Sequence, residues 1–99
     1  MSLNRHAARR DSNDGELQRV AEQMGWYLYR TKEPGDYLGF LKARPDLGFS
    51  VIEIKHEDGS LTDNQSLFRK DCLVWNMPYL IWRNVADVVE QTNTLRRAP

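Results

Sequence analysis

Apolar residues recur at helical spacing at Leu17, Val20, Ala21 and Met24, and Gly25 follows as a stop signal, so "DGELQRVAEQMGW" predicts a first helix. "WYLYRT", residues 26–31, is a short β-type run, and "KEPGD" is a turn. "DYLGFLKA" and "FSVIEIKHE" read as two further strands separated by "RPDLG". A helix is expected from about Thr62 to Asn76. Thr62 and Gln65 form the T-x-x-Q pattern of a capping box, and Leu67, Phe68, Cys72, Val74 and Trp75 supply apolar faces. "YLIWR" predicts a fourth strand. A short helix follows from "NVAD", with Asn84 as N-cap and Asp87 at N3. The order α-β-β-β-α-β-α predicts an α/β (α+β) fold: a mixed four-stranded sheet with helices on each face.

The turn between the second and third strands can be tested by register. With Pro45-Asp46 in the middle of the turn, antiparallel pairing sets Lys42 against Leu47, Phe40 against Phe49, Leu38 against Val51 and Asp36 against Glu53. These pairs share one face, because side chains alternate with period two. The face is apolar until its end, where Asp36 and Glu53 meet, with Lys55 one step beyond. A one-residue slip would separate the two acids onto opposite faces.

The chain has 99 residues, consistent with one domain around one core: a flexible N-terminal arm over 1–13, a single domain over 14–95 and a C-terminal tail over 96–99. Hydrophobic residues make up 40% and charged residues 28%, which excludes a disordered chain. No apolar run approaches the ~20 residues of a membrane span, and the N-terminus lacks the apolar stretch of a signal peptide. Cys72 is the only cysteine, so no internal disulfide or cysteine metal cluster is possible, and an intracellular, cytoplasmic setting is expected. Lys+Arg and Asp+Glu are 14 each. That balance counts mildly against a strong nucleic-acid binder. Arg5, Arg9 and Arg10 in front and Arg96 and Arg97 behind cluster at the ends, where they read first as two solvated tails.

Two carboxylates side by side in an apolar setting repel each other and demand a counter-charge beyond the single ammonium of Lys55. A divalent cation is the natural remainder. Oxygen ligands suit Mg²⁺, with Mn²⁺ as a substitute, and such an ion polarises a phosphoryl oxygen and acidifies a bound water. The ammonium beside it would orient that water or stabilise charge developing on the phosphate. The set suits phosphodiester hydrolysis.

"PGDYLGFLKARPDLGFSVIEIKHEDGSLTDNQ" resembles the core of the PD-(D/E)xK nuclease superfamily, and most of all its VRR-NUC and Holliday-junction-resolvase-like branch. The resemblance implies a restriction-endonuclease-like αβββαβ core over roughly residues 14–90. It carries Asp36 onto the first metal-binding acid and Glu53 onto the second. It also carries the Ile54 carbonyl onto the backbone metal ligand, Lys55 onto the catalytic lysine and Gln65 onto the glutamine opening the second helix. Gln65 reads equally well as a simple cap of its own helix. A first-helix glutamate often completes the family's site, and Glu16 is the candidate. The chain departs from the family in having "GD" where "PD" is expected. The literal "PD" at Pro45-Asp46 is a turn, too close to Glu53 to open a paired strand.

The resemblance implies a Mg²⁺-dependent endodeoxyribonuclease acting on branched or junction DNA. Bacterial and phage genomes are typical sources of the family. Members of this size often work as homodimers, which would also double a modest basic surface. The alternative is a catalytically inactive nuclease-like fold that binds DNA or a partner protein. A hydrolase of some other phosphate is a third class, for which the chain shows no pocket-forming insertion. His6 and His56 read as surface histidines and Cys72 as a buried structural thiol. Trp26, Trp75 and Trp82 read as core residues, with base stacking as the other reading.

Overall fold

The computed structural model describes residues 13–32 and 35–99. His6, the basic cluster at Arg5, Arg9 and Arg10, and nearly all of the expected N-terminal arm lie outside the described residues. So does the centre of the "KEPGD" turn.

Helix α1 (Asp14–Gln23) leads into strands β1 (Trp26–Arg30), β2 (Tyr37–Leu41) and β3 (Phe49–Ile54). Helix α2 (Asp63–Val74), strand β4 (Tyr79–Trp82) and helix α3 (Val85–Arg97) follow. The sheet order is β1-β2-β3-β4. β1–β2 and β2–β3 are antiparallel, while β3–β4 is parallel and crosses over through α2. The fold is α+β, with a four-stranded mixed sheet and, among the described residues, three α-helices.

Alternation divides the sheet into two unlike faces. One carries Trp26, Tyr37, Leu41, Ile52, Ile54 and Trp82 into the core, closed by Leu17 and Ala21 of α1 and Val88 of α3. Trp26 and Trp82 meet edge to face at 5.6 Å. Trp26 also donates its indole N–H to Thr92 Oγ1 at 2.9 Å, so the one polar residue on the buried stripe of α3 answers the one polar atom of that indole. Gly39 lies under the same ring: a Cβ there would come within 2.9 Å of Trp26 and 2.5 Å of Ile52. The other face receives only α2, through Phe68 against Tyr79 and the buried Cys72.

The β2–β3 register is the expected one: Phe40 faces Phe49 and Leu38 faces Val51. Pro45–Leu47 forms a single 3₁₀ turn, and Gly48 closes it at φ 65°. The Thr62–Gln65 capping box is present, as is the Asn84 cap, whose side chain accepts from the Asp87 N–H.

Two expectations need correction. The last helix is not short. It runs for 13 residues and takes in Arg96 and Arg97, half of the expected tail. Val85, Val88, Thr92 and Leu95 continue one stripe, which the polar Thr92 disguises, and the two arginines suit the negative end of a helix. Trp75 is not in the core. It continues the inward line of Gln65, Phe68 and Cys72, but α2 ends there and the chain turns at Asn76 (φ 60°), leaving the indole 78% exposed beyond the sheet. Leu67 and Val74 are exposed as well.

Thr92→Val keeps shape and strands the Trp26 N–H in the core. Urea unfolding should show a loss of about 1–3 kcal/mol, with no change in the slope of the transition.

Candidate active site

Asp36 is the last residue before β2, and its backbone still belongs to the ladder: its N–H donates to the Ile52 carbonyl at 2.9 Å. Its side chain extends the ladder one step further, because Asp36 Oδ2 accepts the Ile54 N–H at 2.7 Å. The carboxylate thereby occupies the place of the next strand residue and is fixed beside Glu53, which lies on the same face. Ile54 turns its backbone groups toward β2, so its carbonyl lies on the side of Asp36, as a backbone ligand would require.

Gly35 makes the approach possible. It has φ 78°, and a Cβ would lie 2.8 Å from Val51 Cγ1 and 3.6 Å from Glu53 Oε2. A proline, with φ near −65°, has no place in this conformation. The glycine before Asp36 thus has a steric reason of its own.

Glu53 is only 2% exposed. Burial, then the nearby Asp36 charge, pushes its carboxyl up to about 7, against the smaller opposing pull of Lys55. Gln65 Nε2 donates to Glu53 Oε1 at 3.2 Å. The other end of the same amide, Oε1, accepts the Thr62 N–H at 2.9 Å. Capping and site contact, alternatives in the sequence, are made together by opposite ends of one side chain. Glu53 Oε2 is buried, and no hydrogen bond of good geometry reaches it among the described residues. The Tyr79 hydroxyl lies within side-chain hydrogen-bonding reach of Glu53 and eases its charge.

Asp36, Glu53 and Gln65 line one cavity of about 640 Å³, together with Lys32, Gly35 and Phe68. Lys55 does not line it, although its charge acts on Glu53. Lys32, Tyr79 and Gly35 are the residues that motif spacing did not single out. A glycine before an acid at a strand start was the one available signal. A second cleft, of about 630 Å³, runs along β4 between α2 and α3. Several of its polar groups are already paired: Arg83 donates to the Gly59 carbonyl, Asp87 accepts the Arg83 N–H, and Asn84 donates to Glu57.

Glu16 does not join the acids. It is exposed on α1, a helix that packs on the opposite face of the sheet from Glu53. The acid that α1 buries is Asp14. It accepts from the Tyr37 hydroxyl at 2.7 Å, lies 3.6 Å from Arg30, and, after burial itself, helps push the Tyr37 hydroxyl up to about 12. The preceding residue, Asn13, donates to the Arg83 carbonyl at 2.8 Å and ties the start of α1 to the end of β4.

No group of three or more His, Cys, Asp or Glu side chains gathers in metal-binding geometry among the described residues. Two carboxylates still fit Mg²⁺, which keeps several waters and is held by one or two such groups. The burial of Glu53 beside Asp36 is the observation in favour: a buried carboxylate next to a second negative charge is costly unless a cation meets it. No helix among the described residues is long and apolar enough to cross a membrane.

The raised Glu53 carboxyl has a thermodynamic signature. Folding strengthens its hold on the proton, so its contribution favours the folded state at low pH. That contribution is lost as pH rises from the ordinary 4.5 through about 7. Urea unfolding of the metal-free protein should show wild type losing up to about 3 kcal/mol relative to Glu53→Gln across that window. Asp36→Asn should lower the Glu53 titration midpoint measured by NMR.

Comparison with protein-family models, with curated proteins and with solved structures finds no match to this chain.

Proposed function

We propose that this protein is a Mg²⁺-dependent endonuclease of the PD-(D/E)xK kind, hydrolysing phosphodiester bonds in branched or junction DNA. The observation that carries the reading is Glu53, 2% exposed and pushed up to about 7 beside Asp36 at the end of a paired strand, where a divalent cation would satisfy both carboxylates. The DNA substrate and its branched form rest on the sequence resemblance.

Asp36, Glu53 and the Ile54 carbonyl would hold the ion, which when bound supplies Lewis-acid polarisation of the phosphate and an acidified water. Asp36 keeps one oxygen on the Ile54 N–H, which holds the carboxylate beside Glu53. Gln65 holds Glu53 by one oxygen and leaves the second for the ion. Glu53 must give up its proton to serve. Lys55, beside Glu53, orients the attacking water or neutralises charge on the phosphate. Lys32, exposed at the cavity, presents a second cation to an incoming phosphate.

A non-catalytic module that binds DNA or a protein is the second reading. It is favoured by the exposure of Glu16, which leaves two acids where three were expected, and by a net charge of zero.

The deciding assay incubates labelled four-way junction, flap, single-stranded and duplex DNA with Mg²⁺, Mn²⁺ or EDTA. Metal-dependent cleavage of the junction or flap is expected, with Lys55→Ala slower by about a hundredfold or more. Absence of cleavage on every substrate leaves the binding module. Metal affinity gives a check that does not depend on turnover. With Glu53 titrating near 7, Mn²⁺ binding followed by calorimetry should strengthen about tenfold per pH unit below that value and level off above it. Glu53→Gln should abolish the dependence.

A further inference from the structure

β4 is the last strand in the sheet order, and its free edge opens into the second cleft. The Val51 N–H bonds the Pro78 carbonyl at 2.9 Å, and the Lys55 N–H bonds the Trp82 carbonyl at 3.0 Å. The parallel ladder therefore turns the backbone groups of Leu80 and Trp82 toward β3. Tyr79 and Ile81 turn theirs the other way. Among the described residues, no hydrogen bond reaches the Tyr79 N–H, the Tyr79 carbonyl or the Ile81 N–H. The open stretch ends at Arg83, whose N–H is taken by Asp87 Oδ2 at 2.8 Å.

The β4 sequence, "YLIW", is uncharged and made of residues that favour strands, so its edge invites pairing. No helix seals it. α2 stands on one face of the sheet and α3 on the other, and the cleft of about 630 Å³ lies along the strand between them. That volume falls within the roughly 300–1,000 Å³ of ordinary binding clefts. One edge group is already served in the manner of a strand. Gln91 Nε2, from α3, donates to the Ile81 carbonyl at 3.0 Å, where the N–H of a neighbouring strand would otherwise sit.

We propose that this cleft binds an extended peptide segment of another protein, which adds to β4 as a further strand. The backbone groups of Tyr79 and Ile81 supply the pairing. The walls set the chemistry of the occupant. Successive side chains of an added strand point to opposite faces of the sheet. One of them meets Glu90 on α3, and the next meets Arg69 on α2. Both charges are exposed and line the cleft, and neither side chain is paired with another described residue. A basic residue beside an acidic one, among uncharged β-branched neighbours, satisfies both walls at once and fixes the register of the peptide. The inference does not rest on the metal reading, because the two cavities share no lining residue.

The test pans a phage-displayed library of random peptides, about ten residues long, against the full chain and synthesises the enriched peptide. Enriched sequences should carry neighbouring opposite charges among Val, Ile and Thr. At saturating peptide, amide hydrogen exchange followed by NMR should slow about tenfold or more at Tyr79 and Ile81. N-methylation of one alternate set of peptide amides should abolish binding, and N-methylation of the other set should leave it intact. Gln91→Ala opens the Ile81 carbonyl to the peptide, so it should tighten binding by roughly three- to tenfold. Arg69→Glu combined with Glu90→Arg should weaken binding about tenfold, and exchanging the two charges of the peptide should restore it. Far-UV circular dichroism verifies that each variant folds. Recovery of no peptide, or of peptides that protect neither amide, overturns the proposal. So does protection of the same amides by self-association without peptide, which assigns the edge to a second copy.

Discussion

A slip of one residue between β2 and β3 would undo this molecule twice. Tyr37 or Ile52 would leave the core, and Asp36 and Glu53 would part to opposite sides of the sheet. The register is therefore a constraint common to fold and site. The chain enforces it at both ends of the hairpin. At one end the Pro45–Leu47 turn and Gly48 fix the loop length. At the other, Asp36 bonds to β3 through its backbone N–H and its carboxylate, so a candidate metal ligand is also the last rung of the ladder.

The two faces of the sheet differ in what they bury. Two helices and the Trp26–Trp82 pair close one side into a dry core whose polar atoms include a matched pair, Trp26 and Thr92. The other side is covered by one helix resting on Phe68 and Cys72. A buried carboxyl, about half protonated near neutral pH, is tolerable there because a packed core lies on the other side of the sheet. The arrangement stores unfavourable electrostatics where a bound cation would relieve them.

The hairpin was legible because three signals agreed on it: Pro-Asp in a turn, period-two alternation, and acids that pair only in one register. The Thr62–Gln65 box and the Asn84 cap were legible because capping is local chemistry, written in four residues. What escaped was non-local. Trp75 has the spacing of a core residue, and only the position at which α2 outruns the sheet exposes it. Thr92 interrupts an apolar stripe whose continuity depends on an indole 66 positions away. Glu16 is well spaced along its helix, but the face on which α1 packs is a matter of tertiary arrangement. Gly35 carried a local signal that spacing arguments passed over, since its necessity comes from Val51 across the hairpin.

The double duty of Gln65 has a dynamic consequence. Its amide bridges the first turn of α2 to Glu53, so that turn cannot fray without releasing the carboxylate. Fraying of the helix start is therefore coupled to release of the carboxylate at the cavity wall. Thr62, which bonds Gln65 rather than Glu53, becomes a handle on how Glu53 is held in place. The lifetime of the assembled cavity is then written partly in the strength of a helix cap.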